Sequence, residues 1–368
     1  MVEWKKLGDI CVVQRGKRLT KDLLDENSAY PVYHGGLEPL GRYGQYNREA
    51  NTVMVINVGA SAGTVGFSDR RFWSSDGCFC ISHSEHLNNK YLFYYLQTKT
   101  HYLQSQVRHA GIPTLDNPVV EKINVPLLSL PEQTRIVGIL DTFTSSIENL
   151  KEQIAQRRKQ YEYYRDQLLD LEGKEGVEMK TLGEIGKCVA GATPSTKVPE
   201  YWEGGEIPWM SSGEVHQKIV SHTANYITKK GYENASTKML PIGTIVIALA
   251  GQGKTRGSVA ITTIELCTNQ SLCGVIISDD LIINKYVYHY MSTRYDDLRR
   301  ISSGDGTRGG LNLKMISSYS VPIPSPSKQQ RIVSILDTFE ASIQNLEAQL
   351  KERQKQYEYY RNKLLTFE

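Results

Sequence analysis

Residues 135–150 read RIVGILDTFTSSIENL, and residues 331–346 read RIVSILDTFEASIQNL. The likeness extends without a gap over residues 126–172 and 322–368, at a constant offset of 196, with 27 identities in 47 positions. Self-similarity of this length at one fixed offset indicates an internal duplication. Each copy consists of a globular segment followed by a conserved tail.

Each tail has the pattern of a long helix with one apolar face. Apart from Gly138, neither glycine nor proline interrupts a run of about forty residues in either tail. Apolar residues recur alternately four and three positions apart over five heptads, which is typical of a coiled-coil seam that needs a partner helix. Arg157 and Arg353 interrupt the seam at equivalent positions, and we interpret them as residues that set its register. The predicted seam residues are Ile136, Leu140, Phe143, Ile147, Leu150, Ile154, Tyr161 and Leu168 in the first tail, and Ile332, Leu336, Phe339, Ile343, Leu346, Leu350, Tyr357 and Leu364 in the second.

The order of the segments predicts how the two tails pair. The first globular segment precedes the first helix, whereas the second follows it after the short polar linker GKEGVEM. The two segments are therefore expected at opposite ends of the first helix, and the second helix must run back along it to bury its own seam. The sequence thus predicts an antiparallel helix pair with a pseudo-twofold axis. The predicted boundaries are 1–130 and 181–327 for the globular domains, 131–172 and 328–368 for the helices, and 173–180 for the linker.

The two globular segments have the pattern of mixed, strand-rich domains. Both open alike, with KKLGDI in the first and MKTLGEI in the second. Runs such as NTVMVINVGA and GTIVIALAG are rich in β-branched residues and bounded by glycine, which is typical of strands. The helical stretches NKYLFYYLQT and NKYVYHYMST follow such runs in the two segments. The predicted fold class is α+β, with two such domains joined to the paired helices.

Composition limits the function only weakly. The chain has 368 residues and a formal net charge of +3, which permits nucleic-acid binding without indicating it. Its start, MVEWKKLGDI, has no secretory pattern, and no apolar run is long enough to cross a bilayer, so we expect a cytoplasmic protein without a membrane contact. The six cysteines and eight histidines have no metal-ligand spacing, so the sequence predicts no metal site.

One stretch, ALAGQGKT at residues 248–255, matches the loose pattern of a phosphate-binding loop. A working loop of this kind needs a helix directly after the lysine, because the helix N-terminus receives the phosphates. Here the continuation RGSVAITTI has the pattern of a strand. The sequence also lacks a methyltransferase Asn/Asp-Pro-Pro-aromatic motif, a metal-dependent nuclease cluster and a serine-hydrolase elbow. We therefore predict no catalytic residues.

Polar side chains on glycine-containing loops are the features best suited to contact DNA, although such loops are often only solvated turns. Their charges and donors can grip phosphates or read base edges. We expect Lys254 and Arg256 to be exposed, since a glycine turn offers nothing that buries them. The candidate contacts in the first segment are Lys17, Arg18, Thr20, Lys21, Ser61, Thr64, Arg108 and His109. Those in the second segment are Thr193, Ser195, Lys197, Ser211, Ser212, Gln252, Lys254, Thr255, Arg256, Arg308, Asn312 and Lys314.

The order of motifs along the chain bears most directly on function. Two diverged segments are each followed by a nearly identical helix that opens with Q-x-R-I-V-x-I-L-D. The second segment also carries GATPSTK, IPWMSSGEV and TNQSL. Over its whole length the chain resembles the specificity subunits of type I restriction-modification enzymes, with the segments similar to target recognition domains and the tails to conserved spacers. The first segment, with GKRLTKD in place of GATPST, departs from the commoner pattern.

The resemblance implies a non-catalytic subunit that reads a bipartite, gapped site in double-stranded DNA. It implies two copies of a methyltransferase subunit and a restriction subunit as partners, which would hold S-adenosylmethionine and ATP, and no cofactor in this chain. Two alternatives from other classes stay open: an ATP-binding protein that uses Lys254, and a coiled-coil adaptor that binds only proteins. Conserved tails on diverged globular segments favour the DNA-reading interpretation over both.

Overall fold

A computed structural model describes residues 2–251, 254–302 and 310–367. The chain divides into two compact units: the first contains Met1–Gln153 and Leu346–Glu368, and the second contains Ile154–Asn345. Each unit holds one globular domain and a part of each long helix. Among the described residues, no helix combines the length and the apolar character needed to span a membrane.

The first globular domain contains nine strands and four short α-helices among its described residues. The strands are β1 (Glu3–Lys6), β2 (Val13–Arg15), β3 (Tyr30–Tyr33), β4 (Gly41–Tyr43), β5 (Thr52–Ile56), β6 (Val65–Ser68), β7 (Trp73–Ser74), β8 (Cys78–Ile81) and β9 (Asn124–Leu127). The helices are α1 (Leu7–Ile10), α2 (Asn89–Thr98), α3 (Thr100–Ser105) and α4 (Asn117–Glu121). The long helix α5 (Leu130–Leu169) follows.

The second globular domain contains ten strands and five short α-helices among its described residues. The strands are β10 (Glu178–Thr181), β11 (Gly186–Ala190), β12 (Ile207–Met210), β13 (Ile219–Val220), β14 (Asn225–Ile227), β15 (Ile245–Ala248), β16 (Val259–Thr262), β17 (Cys267–Thr268), β18 (Leu272–Ile277) and β19 (Ser320–Ile323). The helices are α6 (Leu182–Ile185), α7 (Lys229–Asn234), α8 (Asn284–Ser292), α9 (Tyr295–Ile301) and α10 (Leu313–Ser317). The second long helix, α11 (Pro326–Leu365), follows.

The two globular domains share one strand order. The larger sheet has the order β2-β8-β5-β6 in the first unit and β11-β18-β15-β16 in the second, where β13 adds a fifth strand. The smaller sheet has the order β4-β3-β7 and β14-β12-β17, with parallel pairing of its last two strands. In each unit an antiparallel pair, β1 with β9 or β10 with β19, joins the first strand to the one that leads into the long helix. The duplication therefore extends through domains whose sequences have diverged.

Apolar β-branched runs form the centre of each larger sheet. The residues of β5, TVMVI, and of β15, IVIA, are buried along their whole length. The aromatic helices α2 and α8 pack on these sheets. Their tyrosines Tyr91, Tyr95, Tyr286 and Tyr290 are almost completely buried, which accounts for the recurrence of the NKY-containing stretch in both segments.

A buried glutamine fixes the start of each long helix to its domain. The side chain of Gln133 accepts a hydrogen bond from the backbone N–H of Asn88 at 2.8 Å. It also donates to the carbonyl oxygens of His86 and Leu128, both at 2.9 Å. In the second unit Gln329 makes the equivalent three bonds, with Ile283, Leu281 and Pro324. Both glutamines have no exposed surface, so these contacts give the repeated Q-x-R-I-V motif a structural reason.

Within the first unit, the start of α5 packs antiparallel to the end of α11. Leu140 and Leu365 belong to one buried apolar cluster. Farther along α5, the ring of Phe143 stacks on Tyr360 with 5.3 Å between centroids. The guanidinium group of Arg353 lies 5.7 Å from the same ring. A seam arginine therefore covers a partner aromatic ring.

Within the second unit, the end of α5 and the start of α11 repeat these contacts. Phe339 stacks on Tyr164 with 5.5 Å between centroids, and Arg157 lies 5.8 Å from the ring of Phe339. Each of these residues differs by 196 positions from its counterpart in the first unit. The sixteen predicted seam residues are all buried or half-buried.

Candidate nucleic-acid interface

In the second unit, several strands place their connecting loops at one edge of the sheets. β11 ends where Ala190 pairs with Cys273, and β15 ends beside it, where Ala248 pairs with Leu272. β12 and β17 run parallel and end side by side. The loops that follow these strands therefore meet. We call them the loop edge of the second unit, comprising residues 191–197, 211–212, 249–251, 254–257 and 269–271.

Backbone hydrogen bonds join these loops to one another. The N–H of Asn269 donates to the carbonyl of Met210 at 3.1 Å, and the N–H of Leu249 donates to the carbonyl of Ser271 at 2.8 Å. The carbonyl of Leu249 in turn accepts from the N–H of Leu311 at 2.9 Å. The segment around Leu311 therefore lies at the same edge.

The structure places most predicted contacts of the second segment on this edge. Ser211 is half-buried, and its hydroxyl donates to the carboxylate of Glu214 at 2.9 Å. The side chain of Asn312 caps α10 by accepting a hydrogen bond from the N–H of Met315 at 2.9 Å. Ser212 and Thr255 are half-buried. Gln252 and Arg308 lie outside the described residues. The exposed predicted contacts are Thr193, Ser195, Lys197, Lys254, Asn312 and Lys314.

The expectation that Arg256 is exposed is wrong, because this residue is only 6% exposed. Helix α9 packs on the turn that carries it. The hydroxyl of Tyr295 donates to the carbonyl of Lys254 at 3.1 Å, across 41 residues of sequence. Arg299 donates to the carbonyl of Arg256 at 3.5 Å. Lys254 itself stays exposed, so it alone of this pair presents its charge at the surface.

The ALAGQGKT stretch connects two strands of one sheet. β15 ends at Ala248, and β16, which pairs antiparallel with it, begins at Val259. Lys254 is thus followed by a strand and lacks the helix N-terminus that would receive phosphates. This arrangement does not support the ATP-binding alternative.

The first unit has an equivalent loop edge. The N–H of Lys17 donates to the carbonyl of Ser74 at 2.9 Å, which places the loop after β2 beside the loop after β7. The carbonyl of Asn57 accepts from the N–H of Leu115 at 2.9 Å, as the carbonyl of Leu249 does from Leu311. The loop edge of the first unit comprises residues 16–21, 57–64, 75–77 and 108–115.

All predicted contacts of the first segment lie on this edge. Ser61 and Thr64 are half-buried. Arg108 is exposed and forms an ion pair with Asp116 at 2.8 Å. The other exposed contacts are Lys17, Arg18, Thr20, Lys21 and His109.

A glycine begins the equivalent loop in both units. A Cβ atom on Gly16 would lie 2.1 Å from the carbonyl oxygen of Ser75, and one on Gly191 would lie 1.9 Å from that of Thr268. Any side chain would push these loops apart. The close approach explains why GKRLT and GATPST, which otherwise differ, share this glycine.

Sequence reasoning missed polar residues in the turns after β7 and β17. In the second unit, the hydroxyl of Thr193 donates to Oε1 of the exposed Gln270 at 2.6 Å. In the first unit, Nδ1 of His34 lies 3.3 Å from Oδ1 of Asp76. The signal that could have found them is their position in a short turn between two buried strands.

A buried histidine lies between the second domain and the long helices of its unit. Oδ1 of Asp337 lies 3.2 Å from Nε2 of His289, and Oε1 of Glu340 lies 3.9 Å from Nδ1. Lys285 pairs with Asp337 at 2.7 Å, and the hydroxyl of Tyr161 donates to Glu340 at 2.9 Å. The donor atoms of the histidine and the two carboxylates lie within 4.8 Å of one another. Because the carboxylates face different ring nitrogens, the geometry suits hydrogen bonding better than a single metal ion. Burial lowers the pKa of His289, although both carboxylates act in the opposite direction.

One family model matches both halves of the chain. The model of the type I restriction modification DNA specificity domain matches residues 1–157 and 174–355. The EcoR124I/EcoR124II specificity subunit of Escherichia coli is 33% identical over 388 residues, which cover 100% of this chain and 94% of that protein. A putative type I restriction enzyme specificity subunit of Haemophilus influenzae is 28% identical over 388 residues, which cover 100% of this chain and 96% of that protein.

Solved structures share the fold over the whole chain. The crystal structure of a type I restriction-modification S subunit from M. genitalium has a TM-score of 0.71 at 19% identity and covers 100% of this chain and 97% of its own. The S subunit from Thermoanaerobacter tengcongensis has a TM-score of 0.52 at 17% identity and covers 99% of this chain and 96% of its own. At these identities the likeness concerns the fold.

Proposed function

The chain belongs to the family of type I restriction-modification DNA specificity subunits, and from this premise we propose that it reads a bipartite, gapped site in double-stranded DNA. Each globular domain binds one half-site through its loop edge. The observation that carries the proposal is the repetition of that edge: one strand order brings equivalent loops together in both units, while the side chains on them differ. Two domains that share one fold but carry different loop side chains suit a DNA site with two unlike halves.

The exposed charges of the loop edges suit phosphate contacts. Lys17 and Arg18 lie on one loop of the first unit, and Lys197 and Lys254 lie on two loops of the second. Cations that contact phosphates supply a large share of the affinity for DNA and little of the sequence preference. Base reading then falls to neutral polar and apolar side chains beside them, such as Thr193.

We further propose that the chain is not an enzyme and holds no cofactor. Its partners are two copies of a methyltransferase subunit, which holds S-adenosylmethionine, and an ATP-driven restriction subunit. The duplicated helices support two identical partners, because the exposed Tyr163 and Tyr359 differ by 196 positions and present the same side chain in each unit. A surface repeated in this way suits a partner that binds twice.

Methylation profiling of genomic DNA tests the proposed function. Cells with and without this gene are compared, and a two-part motif separated by unspecified bases is expected to be methylated only when the gene is present. An unchanged profile would overturn the proposal and favour an adaptor that binds only proteins.

Calorimetry on the purified chain tests the absence of a cofactor. We expect no binding of ATP or S-adenosylmethionine to the chain alone. ATP binding that is lost in Lys254→Ala would instead support the nucleotide-binding alternative.

A further inference from the structure

One exposed apolar side chain lies on a loop edge, where polar residues predominate. Ile112 is 70% exposed, more than any other large apolar residue of the described chain. The next two, Leu281 and Ile242, are 67% and 63% exposed. Leu281 follows the end of β18 and Ile242 precedes β15, so both lie at strand ends away from the loop edge of their unit. Of these three residues, only Ile112 lies on a loop edge.

The loop that carries Ile112 has a fixed conformation. The N–H of Arg108 donates to the carbonyl of Thr114 at 2.9 Å, and the N–H of Thr114 donates to the carbonyl of Arg108 at 3.0 Å. The hydroxyl of Thr114 donates to the carbonyl of Ile112 itself at 2.9 Å. Gly111 has a φ of +90°, which turns the chain sharply just before Ile112. The isoleucine therefore stands at the tip of a closed, hydrogen-bonded loop.

The same loop is attached to the rest of the loop edge. The N–H of Gly59 donates to the carbonyl of Pro113 at 2.9 Å, which ties the tip to the loop after β5. Arg108 and His109, both exposed, precede Ile112 in the chain. Ile112 is thus an apolar group held beside cationic and polar side chains, on the surface that faces DNA in the proposed function.

Scattered apolar residues are ordinary on protein surfaces, but Ile112 is carried by a hydrogen-bonded loop on the surface proposed to bind DNA. A loop whose backbone is already fixed loses little conformational entropy when its side chain makes a contact. Base edges in the major groove carry hydrogen-bonding groups and only one apolar group, the C5-methyl of thymine. Among the base edges of the major groove, the thymine methyl group is therefore the matching partner of an isoleucine.

We propose that Ile112 contacts the methyl group of a thymine in the half-site read by the first unit and selects thymine at that position. The inference rests on the proposed function and specifies one base of the DNA half-site. Burial of one methyl group corresponds to about fourfold in affinity, or ~0.8 kcal/mol. A preference of about this size is the expected effect.

Deoxyuridine tests the proposal, because it differs from thymidine only by lacking that methyl group. The motif comes from methylation profiling, and duplexes are made in which each thymine is replaced in turn by deoxyuridine. Affinity is measured for the full chain in complex with its methyltransferase subunits. In the unsubstituted chain, replacement at one position of the first half-site should cost about fourfold. In Ile112→Ala the same replacement should cost nothing, and Ile112→Val, which keeps the branched methyl groups, should restore the preference.

Ile242→Ala is the matched control, because it removes another highly exposed isoleucine that lies away from the loop edges. It should respond to deoxyuridine as the unsubstituted chain does. Equal responses of the unsubstituted chain and Ile112→Ala at every thymine would overturn the inference. That result is distinct from failure of the proposed function, in which a duplex carrying the motif would bind no better than a scrambled one.

Discussion

His289 of the second unit takes the place that Tyr94 has in the first unit. Nε2 of His289 lies 3.2 Å from Oδ1 of Asp337, and the hydroxyl of Tyr94 donates to Oδ1 of Asp141 at 2.6 Å. Both aspartates belong to the repeated I-L-D motif and fasten the domain's aromatic helix to the long helix. The duplication has thus kept the aspartate and exchanged a phenol for an imidazole, which titrates in a different pH range.

This exchange predicts pH-dependent stability in the second unit. A free histidine titrates near 6.5, and burial lowers the pKa of His289 below that value in the folded chain. As the pH falls, the unfolded chain takes up the proton first. The contribution of neutral His289 to the free energy of unfolding is therefore complete above about pH 6.5. It is lost as the pH falls toward the lowered pKa of this residue.

Urea unfolding between about pH 7.5 and 5.5 measures this effect. His289→Tyr, which copies the first unit, should lose less stability over this range than the unsubstituted chain. His289→Asn, which cannot titrate, should behave in the same way if tyrosine does not fit. An identical pH dependence in all three proteins would show that His289 is not the group responsible.

Removal of the buried glutamine should destabilise the second unit. Gln329→Ala leaves the N–H of Ile283 and the carbonyls of Leu281 and Pro324 without this partner, and each buried unpaired group costs about 1–3 kcal/mol. We expect a loss of about 3 kcal/mol in the free energy of unfolding, measured with urea. Gln330→Ala, a change at the exposed neighbouring position, should cost less than about 0.5 kcal/mol. Similar losses in both variants would contradict the role of Gln329.

Lys254 and Arg256 should act differently despite lying two residues apart. Lys254 is exposed, so Lys254→Ala should weaken DNA binding and lower the slope of its salt dependence by about one. Arg256 is buried, so Arg256→Ala should reduce the free energy of unfolding and leave that slope unchanged. Lys174→Ala, in the linker after α5, serves as the control for loss of one charge. An equal change of slope in the Arg256 and Lys254 variants would mean that Arg256 reaches the DNA.

The repeated helix contacts predict that a fragment of residues 1–172 dimerises. The fragment lacks the residues of α11 that cover Phe143, but its own helix carries Arg157 and Tyr164, the pair that covers Phe339. Two copies can therefore pair antiparallel and cover each other's Phe143. Light scattering should give twice the fragment mass, whereas a stable monomer would show that the helices are not interchangeable. With methyltransferase subunits, the dimer should select a gapped palindrome.

The sequence predicted the repeated helices better than it predicted contacts between residues that are distant along the chain. Heptad spacing identifies the two long helices because their period depends only on neighbours along the chain. The burial of Arg256 depends on α9, which reaches its turn from 41 residues away. The glycines next to Arg256 suggested that it is exposed, because the contact with α9 leaves no signal in the local sequence.

The loop edges were predictable only in part. The glycine loops suggested polar contact residues such as Lys17 and Lys197, both of which are exposed. Gln270 and Asp76 were missed, because their position follows from two short parallel strand pairs that leave little periodic signal. Gln133 was quoted within a repeated motif, but its buried bonds with backbone groups are visible only in the packed structure.

The central claim is that each loop edge lies on its own half-site, and tethered cleavage of DNA tests this most directly. A DNA-cleaving chelate is attached to Arg18→Cys in one preparation and to Lys197→Cys in another. The chain without these substitutions is the control, because five of its six cysteines are buried and Cys188 is half-buried. On a duplex carrying the methylated motif, bound by the chain with its methyltransferase subunits, we predict two separate groups of cuts, one in each part of the motif. Cuts from both positions in the same part of the motif would contradict the account.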